Sequence, residues 1–127
     1  MSQTFSGGEA MSVMYQALRG LSARQRAQAN NVANVNTPGY KAEKVDFETA
    51  LQRAVESSAN GSDLVSRVNS LNPAVSKSNA AGGLNGNNVN LDQETVEAQD
   101  TALRYQLLLD GIGRQFSGLR NVIREGR

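Results

Sequence analysis

Catalysis by a protein usually draws on a short set of side chains, and this sequence of 127 residues contains neither cysteine nor histidine. Thiolate nucleophiles, disulfides, imidazole bases and the usual zinc ligands are removed together. Two closely spaced carboxylate pairs remain, Asp46 with Glu48 and Asp92 with Glu94. An acid and a carboxylate facing each other across a sugar could hydrolyse a glycosidic bond. Both pairs, however, stand where helices are expected to begin, and acidic residues favour such positions because the free N–H groups of the first turn attract negative charge. Tyr40 reads as a packing anchor beside a turn rather than a reactive phenol. No catalytic residue, cofactor, metal or small-molecule substrate is expected, and so thin a core implies no pocket for one.

Composition bounds the remaining possibilities. The chain is long enough for one domain, residues 1–127, but not for two independent cores. Hydrophobic residues make up 39% and aromatic residues 5%, so a large core is not expected. The 13 basic and 12 acidic residues leave a formal charge of +1, too small a field to draw in nucleic acid or an anionic membrane. Arg19, Arg24 and Arg26 crowd one helix and Arg114, Arg120, Arg124 and Arg127 another. Without aromatic interleaving these arginines read as solvated faces, and no nucleic-acid partner is expected. The start, MSQTFSGGEAMSVMYQ, has no basic opening and no long apolar run, so neither a cleaved secretory signal nor a membrane anchor is expected there.

The elements that would position any functional residue are two long helices, one near each end. Met11, Met14, Leu18, Leu21, Val32 and Val35 follow one alternating spacing of three and four, interrupted by Gln25 and Gln28. That is the pattern of a coiled-coil seam, and it predicts a helix over 9–34. The two glutamines have two readings: solvated residues on a frayed seam, or polar positions that fix register. Pro38-Gly39 fits the central pair of a type II turn and opens a segment, 35–56, that ends in a short helix capped by Asp46. Phe47, Ala50, Leu51, Ala54 and Val55 would share one face of that helix.

Residues 57–90 are rich in Ser, Asn and Gly, and their few apolar positions cannot offset the entropy of ordering. A flexible insert is expected, with a short β-hairpin around Val89 and Leu91 only once a partner supplies an edge. Asp92 and Glu94 begin the second long helix, 92–125, whose seam runs Ala98, Ala102, Tyr105, Leu109, Ile112, Phe116, Leu119, Ile123. Val96, Leu103, Leu107, Leu108 and Val122 fall beside that seam, so the helix should touch more than one neighbour. The expected fold class is mainly α, with the terminal helices packed as an antiparallel coiled-coil hairpin around a polar, partly disordered middle. A monomer of this kind should be marginal and be completed by neighbours.

At the end of the first helix stands ANNVANVNTPGYK, residues 29–41. It resembles the amino-terminal signature of the bacterial flagellar basal-body rod and hook proteins, in which a helix runs through an Asn-rich stretch into TPGY. The likeness continues in KAEKVDFETALQRA and in GNNVNLDQETVEAQDTALRYQLLLDGIGRQFSGLRNVI, and residues 57–85 carry none of it. The entry Asn87-Asn88-Val89-Asn90-Leu91-Asp92, the block Leu103-Arg104-Tyr105-Gln106 and the late Gly118-Leu119-Arg120 look most like the short proximal-rod type.

The resemblance implies a structural subunit that polymerises through its terminal helices, crosses the periplasm in the rod and transmits torque. It further implies export by the flagellar type III apparatus without signal cleavage. The implied partners are copies of itself, FlgC-type and distal-rod proteins, the rod-base adaptor FliE and the inner-membrane ring. The expected packing and interface residues are Leu18, Leu21, Gln25, Ala29, Asn30, Asn34, Asn36, Thr37, Pro38, Gly39, Tyr40, Tyr105, Leu109, Ile112, Phe116 and Leu119. Among them the asparagines, together with Asn31, would form a rigid contact, because fully hydrogen-bonded amides fix geometry. The sister proximal-rod type and a generic coiled-coil adaptor are the alternatives.

Overall fold

The computed structural model describes residues 6–125, the side chains of Leu119 and of residues 122–125 excepted. Six elements follow in order: α1 Gly7–Ala33, β1 Glu43–Asp46, α2 Glu48–Glu56, α3 Gly61–Asn69, β2 Ala74–Lys77 and α4 Leu91–Glu125. The architecture is mainly helical, with one long helix near each end and a single two-stranded sheet. No described helix is long and apolar enough to cross a membrane.

α1 begins in a reciprocal cap: the Glu9 N–H donates to Ser6 Oγ at 3.2 Å, and the Ser6 N–H donates to Glu9 Oε2 at 3.3 Å. Two otherwise unpaired backbone donors are thereby satisfied. It ends where expected, at Asn34, and the chain then turns through Thr37-Pro38-Gly39-Tyr40. The Tyr40 N–H donates to Thr37 O at 3.2 Å and Gly39 has φ of 75°, the geometry of a type II turn. The helix α2 starts later than the sequence suggests, because its cap is Phe47 and not Asp46. Asp46 reaches the Thr49 N–H only at 3.5 Å, and Phe47 turns inward to 9% exposure. Ala50, expected on the apolar face of α2, is exposed. α4 is capped by Asn90, whose Oδ1 accepts from the Gln93 N–H at 3.1 Å, so Asp92 lies inside the first turn.

The segment 57–90 departs most from the reading as a flexible insert. Asn60 caps α3 by accepting from the Asp63 N–H at 2.9 Å, and Leu64 and Val68 are buried to 4% and 0% exposure. They pack on Ala54 of α2, with Val13 of α1 alongside. Burial against two other helices supplies the free energy that the local composition lacks, which a reading of the segment by itself leaves out. α1 also pins the far end of α3 through polar contacts: Ser12 Oγ donates to Asn69 Oδ1 at 2.6 Å, and Gln16 Nε2 donates to Leu71 O. The only pairing of strands among the described residues is β1 with β2, antiparallel, with Val45 opposite Val75. In the single chain no strand forms at Val89 and Leu91. Strand β1 has a buried side in Val45, whereas every residue of β2 is exposed.

A second core joins Leu21, Ala23 and Ala27 of α1 to Val45 and Phe47, with Tyr105 and Leu108 of α4 packed against it. Gly20 is the close-approach point: a Cβ there would lie 2.2 Å from the Phe47 ring. The alanine-rich face of α1 therefore serves β1 and Phe47, while Val32, expected on its seam, is 43% exposed.

On α4 the least exposed positions are Glu94, Ala98, Thr101, Tyr105, Leu108, Gly111, Ile112 and Gln115. Of the expected seam, Ala98, Tyr105 and Ile112 hold this face, but Ala102, Leu109 and Phe116 yield to Thr101, Leu108 and Gln115. Polar pairing decides the rotation, because Gln28 donates to Thr101 Oγ1 at 3.0 Å and the small threonine fits at 1% exposure. Leu109 and Phe116 are left 41% and 58% exposed, and the side chains of Leu119, Val122 and Ile123 lie outside the described ones.

Candidate functional site

The residues singled out at the end of α1 meet a second Asn-rich segment, 85–90, that precedes α4. Asn31 lies at the centre, fully buried at 0% exposure. Its Oδ1 accepts from the Glu43 N–H at 2.7 Å and from Tyr40 Oη at 3.1 Å. Its Nδ2 donates to Glu43 O at 2.8 Å and to Glu94 Oε1 at 3.0 Å. The amide thus presents to Glu43 the donor and acceptor that a neighbouring strand would present, and closes one side of β1. Every hydrogen-bonding position that a primary amide commonly uses is filled, which fixes its orientation.

The turn is held in a similar way from the other segment. Asn87 Nδ2 donates to Asn34 O and to Thr37 O, both at 2.8 Å, while its Oδ1 accepts from the Val89 N–H at 2.8 Å. Asn88 Oδ1 accepts from the Ala42 N–H at 2.6 Å, and its Nδ2 donates to Ser78 O and Ala80 O at 3.1 Å each. Backbone bonds complete the contact, from Gly39 N–H to Asn85 O at 2.9 Å and from Asn88 N–H to Tyr40 O at 3.2 Å. Gly86, at φ of 81°, comes so close that a Cβ would lie 3.5 Å from Gly39 Cα. Lys41 Nζ donates to Gly86 O at 2.7 Å. Residues 31–43 and 85–94, distant in sequence, form one hydrogen-bonded joint at the base of the two long helices.

The electrostatics at the joint follow from burial. Desolvation pushes the Tyr40 phenol above its ordinary range, and Glu43 and Glu94 push the same way. Glu94 is also raised, first by desolvation and further by Glu97, against the opposing bond from Asn31. Neither shift suits a nucleophile, because both favour the neutral form.

In each carboxylate pair considered as a catalyst one member is already engaged, Glu94 by Asn31 and Glu48 by Arg24. Glu48 faces Arg24, whose Nη2 donates to Oε1 at 2.6 Å and whose Nη1 donates to Oε2 at 3.1 Å. Burial alone would raise the Glu48 pKa, but these bonds outweigh it and the net direction is down. Arg24 also donates to Val45 O and lies 4.9 Å from the centre of the Phe47 ring. Arg19 donates to Gln16 Oε1, Leu71 O and the Asn72 side chain. Both of these arginines of α1 are thus used inside the chain. Among the described residues no group of three acidic side chains is placed to hold a metal.

Of the expected interface residues, Leu21 belongs to the core, Leu18 is half-buried, and Gln25, Ala29 and Asn30 face solvent. Gln28, the other polar seam residue, is buried on Thr101 instead, so the two glutamines divide between the two readings given to them. Asn34 is half-buried and bonds locally, to Asn30 O and Thr37 Oγ1. Asn36, Thr37, Pro38 and Gly39 are exposed and Tyr40 is half-buried; Tyr105 and Ile112 are half-buried on α4. Asn87, Asn88 and Glu94 are not among the expected contact residues, whereas Asn31 is, as one of the asparagines of the motif. The available signal was a repeated Asn-Asn pair, 30–31 at one end of the chain and 87–88 at the other.

Beyond the joint, α4 carries exposed Val96, Leu103, Leu107, Leu109 and Phe116. Leu107 and Leu108 border an open apolar groove of about 920 Å³ that Val13, Leu21, Phe47 and Leu51 line from the other side. Patches of this kind on a small chain mark surfaces that meet other molecules.

Comparison with known proteins bears on which molecules those are. Residues 14–41 match the flagella basal body rod protein family. The chain is 31% identical over 117 residues to flagellar basal body rod protein FlgB of Bacillus subtilis, covering 87% of this chain and 90% of that one. It is 31% identical over 130 residues to FlgB of Salmonella typhimurium, covering 92% and 94%. To FlgB of Escherichia coli the identity is 28% over 130 residues, with the same coverage.

Proposed function

Because the chain belongs to the flagellar basal body rod proteins, a family of structural subunits and not of enzymes, we propose that it is a proximal-rod subunit of the FlgB type. The observation that carries this is the joint: the signature segment 29–41 is folded, through Asn31 and Asn87, onto the segment that opens α4. A joint that ties both ends of the chain by buried amides is what a load-bearing subunit needs, because directional bonds resist rotation where apolar packing alone would slide.

In the assembled rod α1 and α4 form an antiparallel coiled-coil hairpin. Its support is the order of contacts, in which Asn31 meets Glu94, Gln28 meets Thr101, and Gly7 approaches Gln115. The exposed stripe of α4 then packs on neighbouring subunits, and Leu109 and Phe116 belong to that contact rather than to the hairpin. Gln25, Ala29, Asn30 and the exposed turn 36–39 complete the surface. The rod so built lies in the flagellar basal body, spans the periplasm and passes torque outward from the motor. Its neighbours are copies of the chain, FlgC-type and distal-rod proteins, FliE and the inner-membrane ring. The chain reaches them through the flagellar type III export apparatus without signal cleavage.

Deleting the gene and imaging purified basal bodies tests this reading. Inner-membrane rings that lack a rod, restored by the intact gene, are expected. Complete rods in the deletion strain would overturn it. A generic coiled-coil adaptor would instead give a stable dimer in dilute solution and leave basal bodies untouched.

A further inference from the structure

The open groove of about 920 Å³ has Val13, Ala17 and Leu21 of α1 as its floor, Leu51 and Val55 of α2 on one side and Leu107 of α4 on the other. No described side chain fills it. The apolar side chains that α4 leaves over stand elsewhere: two residues apart on a helix lie about 200° round from each other, so Leu109 faces away from Leu107 and from the groove. Leu109, Gly113, Phe116 and Arg120 follow at spacings of four, three and four, and all are exposed. That spacing makes them one ridge. Gly113 weakens the helix, and a Cβ there would meet nothing within 4 Å among the described residues. A bare point on such a ridge lets another helix approach closely.

Groove and ridge match in length, polarity and charge. At 1.5 Å per helical residue the floor runs about 12 Å from Val13 to Leu21, and the ridge about 10 Å from Leu109 to Phe116. Both are apolar. At the end of the groove where Val13 meets Val55, exposed Glu56 accepts from Gln52 and pairs with no cation among the described residues. At the other end Glu48 is held by Arg24 and Arg104 by Asp100. Arg120 extends the ridge past Phe116 and has no acidic partner among the described residues. We propose that the ridge of one copy seats in the groove of a second copy, with Leu109 towards Leu21, Phe116 towards Val13 and Val55, and Arg120 on Glu56. Seated the other way, Arg120 would meet Arg24 and Arg104, so charge selects the direction.

The direction has a consequence for assembly. Gln28 meets Thr101 and Met14 lies beside Gly111, so α4 passes the groove from the Leu21 end to the Val13 end. The incoming α4 therefore runs the same way as the α4 it docks beside. Because ridge and groove are different surfaces, the contact is heterologous, and a pair keeps one open groove and one open ridge. Copies then add in one sense until they close a ring or continue as a helix, which suits the wall of a rod. Phe116, an aromatic side chain entering an apolar pocket, carries most of the affinity. The inference rests on the reading as a rod subunit and names which surfaces of two copies meet.

The chain has no cysteine, so introduced thiols have no others of its own to pair with. The test oxidises isolated basal bodies whose subunits carry Glu56→Cys together with Arg120→Cys, separates the denatured chains without reductant and detects this chain by antibody. Both positions are exposed, so folding should tolerate the changes. A ladder of covalent multimers is expected from the double variant, and monomer from either single variant. Rods that give only monomer from the double variant would overturn the contact and leave the groove to another basal-body protein. Dimers from a single variant would overturn it as well, because like surfaces would then be meeting. Neither result touches the reading as a rod subunit, since the rods are present; that reading fails instead when rods are complete without the gene. Should the double-cysteine chain not assemble, charge exchange decides: Glu56→Arg and Arg120→Glu should each reduce swimming and together restore it, and a double variant no better than the single ones refutes the proposal.

Discussion

Replacing Asn31 with alanine removes four hydrogen bonds at once, and the structure allows the loss to be sized. Two of them tie the N–H and C=O of Glu43 at 2.7 and 2.8 Å, one holds Tyr40 Oη at 3.1 Å and one reaches Glu94 at 3.0 Å. A neutral bond contributes about 1 kcal/mol net, and a buried partner left unpaired costs about 1–3 kcal/mol. The Tyr40 hydroxyl, on a half-buried residue, can recover water, whereas Glu94 is nearly enclosed. The total for Asn31→Ala is then about 4 kcal/mol, a large share of the ~5–15 kcal/mol that holds a typical domain together. Urea unfolding of the full chain, followed by helix circular dichroism, measures it. Asn30→Ala is the matched control, because Asn30 is exposed and its side chain makes no hydrogen bond among the described residues; it should stay within about 0.5 kcal/mol. Asn31→Asp keeps the shape but loses both N–H donors and sets a second carboxylate beside Glu94, so it should be at least as damaging as alanine. If Asn31→Ala falls within about 1 kcal/mol of Asn30→Ala, the amide does not hold the joint and the reasoning fails.

Three further outcomes follow from other parts of the molecule. Gly20→Ala gains helix propensity of about 1 kcal/mol but drives a methyl into the Phe47 ring, so a net loss of about 1–3 kcal/mol is expected, relieved in the double variant with Phe47→Leu; a rise in melting temperature for the single variant would contradict the packing. The exposed pair Leu103→Gln with Phe116→Gln should change monomer stability by less than about 1 kcal/mol yet abolish motility in a complementation assay, and normal swimming would exclude that face from assembly. The Arg24–Glu48 pair makes stability depend on pH: because the folded pKa of Glu48 is lowered, its contribution is present above the unfolded value of about 4.3 and disappears as pH falls through the folded one. Glu48→Gln should flatten that acid limb of the stability profile, and since the Glu48 side chain is half exposed the effect should also shrink in high salt.

Where α1 runs and stops, the presence of α4 and the type II turn at Pro38-Gly39 were legible in the sequence because each rests on local chemistry: a seam spacing, a cap, a glycine that tolerates positive φ. The motif ANNVANVNTPGYK likewise marked where the joint would lie, since its residue types are set by the joint and not by the rest of the core. Which asparagine carries the joint was not legible. Asn30 and Asn31 are adjacent and identical, and only the approach of Glu43 and Glu94, from 12 and 63 positions away, separates an exposed amide from one with every bond made. The rotation of α4 was hidden for a related reason. Hydrophobicity alone favours Leu109 and Phe116 as the seam, but the partner at that register offers Gln28, and the helix turns to give it Thr101. In residues 57–90 composition argued for a flexible insert, and Leu64 and Val68 form a helix only because α1 and α2 bury them. The sequence by itself determined the local propensities and the family of the chain, because both are written in neighbouring residues; tertiary structure decided which polar groups are buried and which apolar faces stay open, because those depend on surfaces that meet only after the chain has folded.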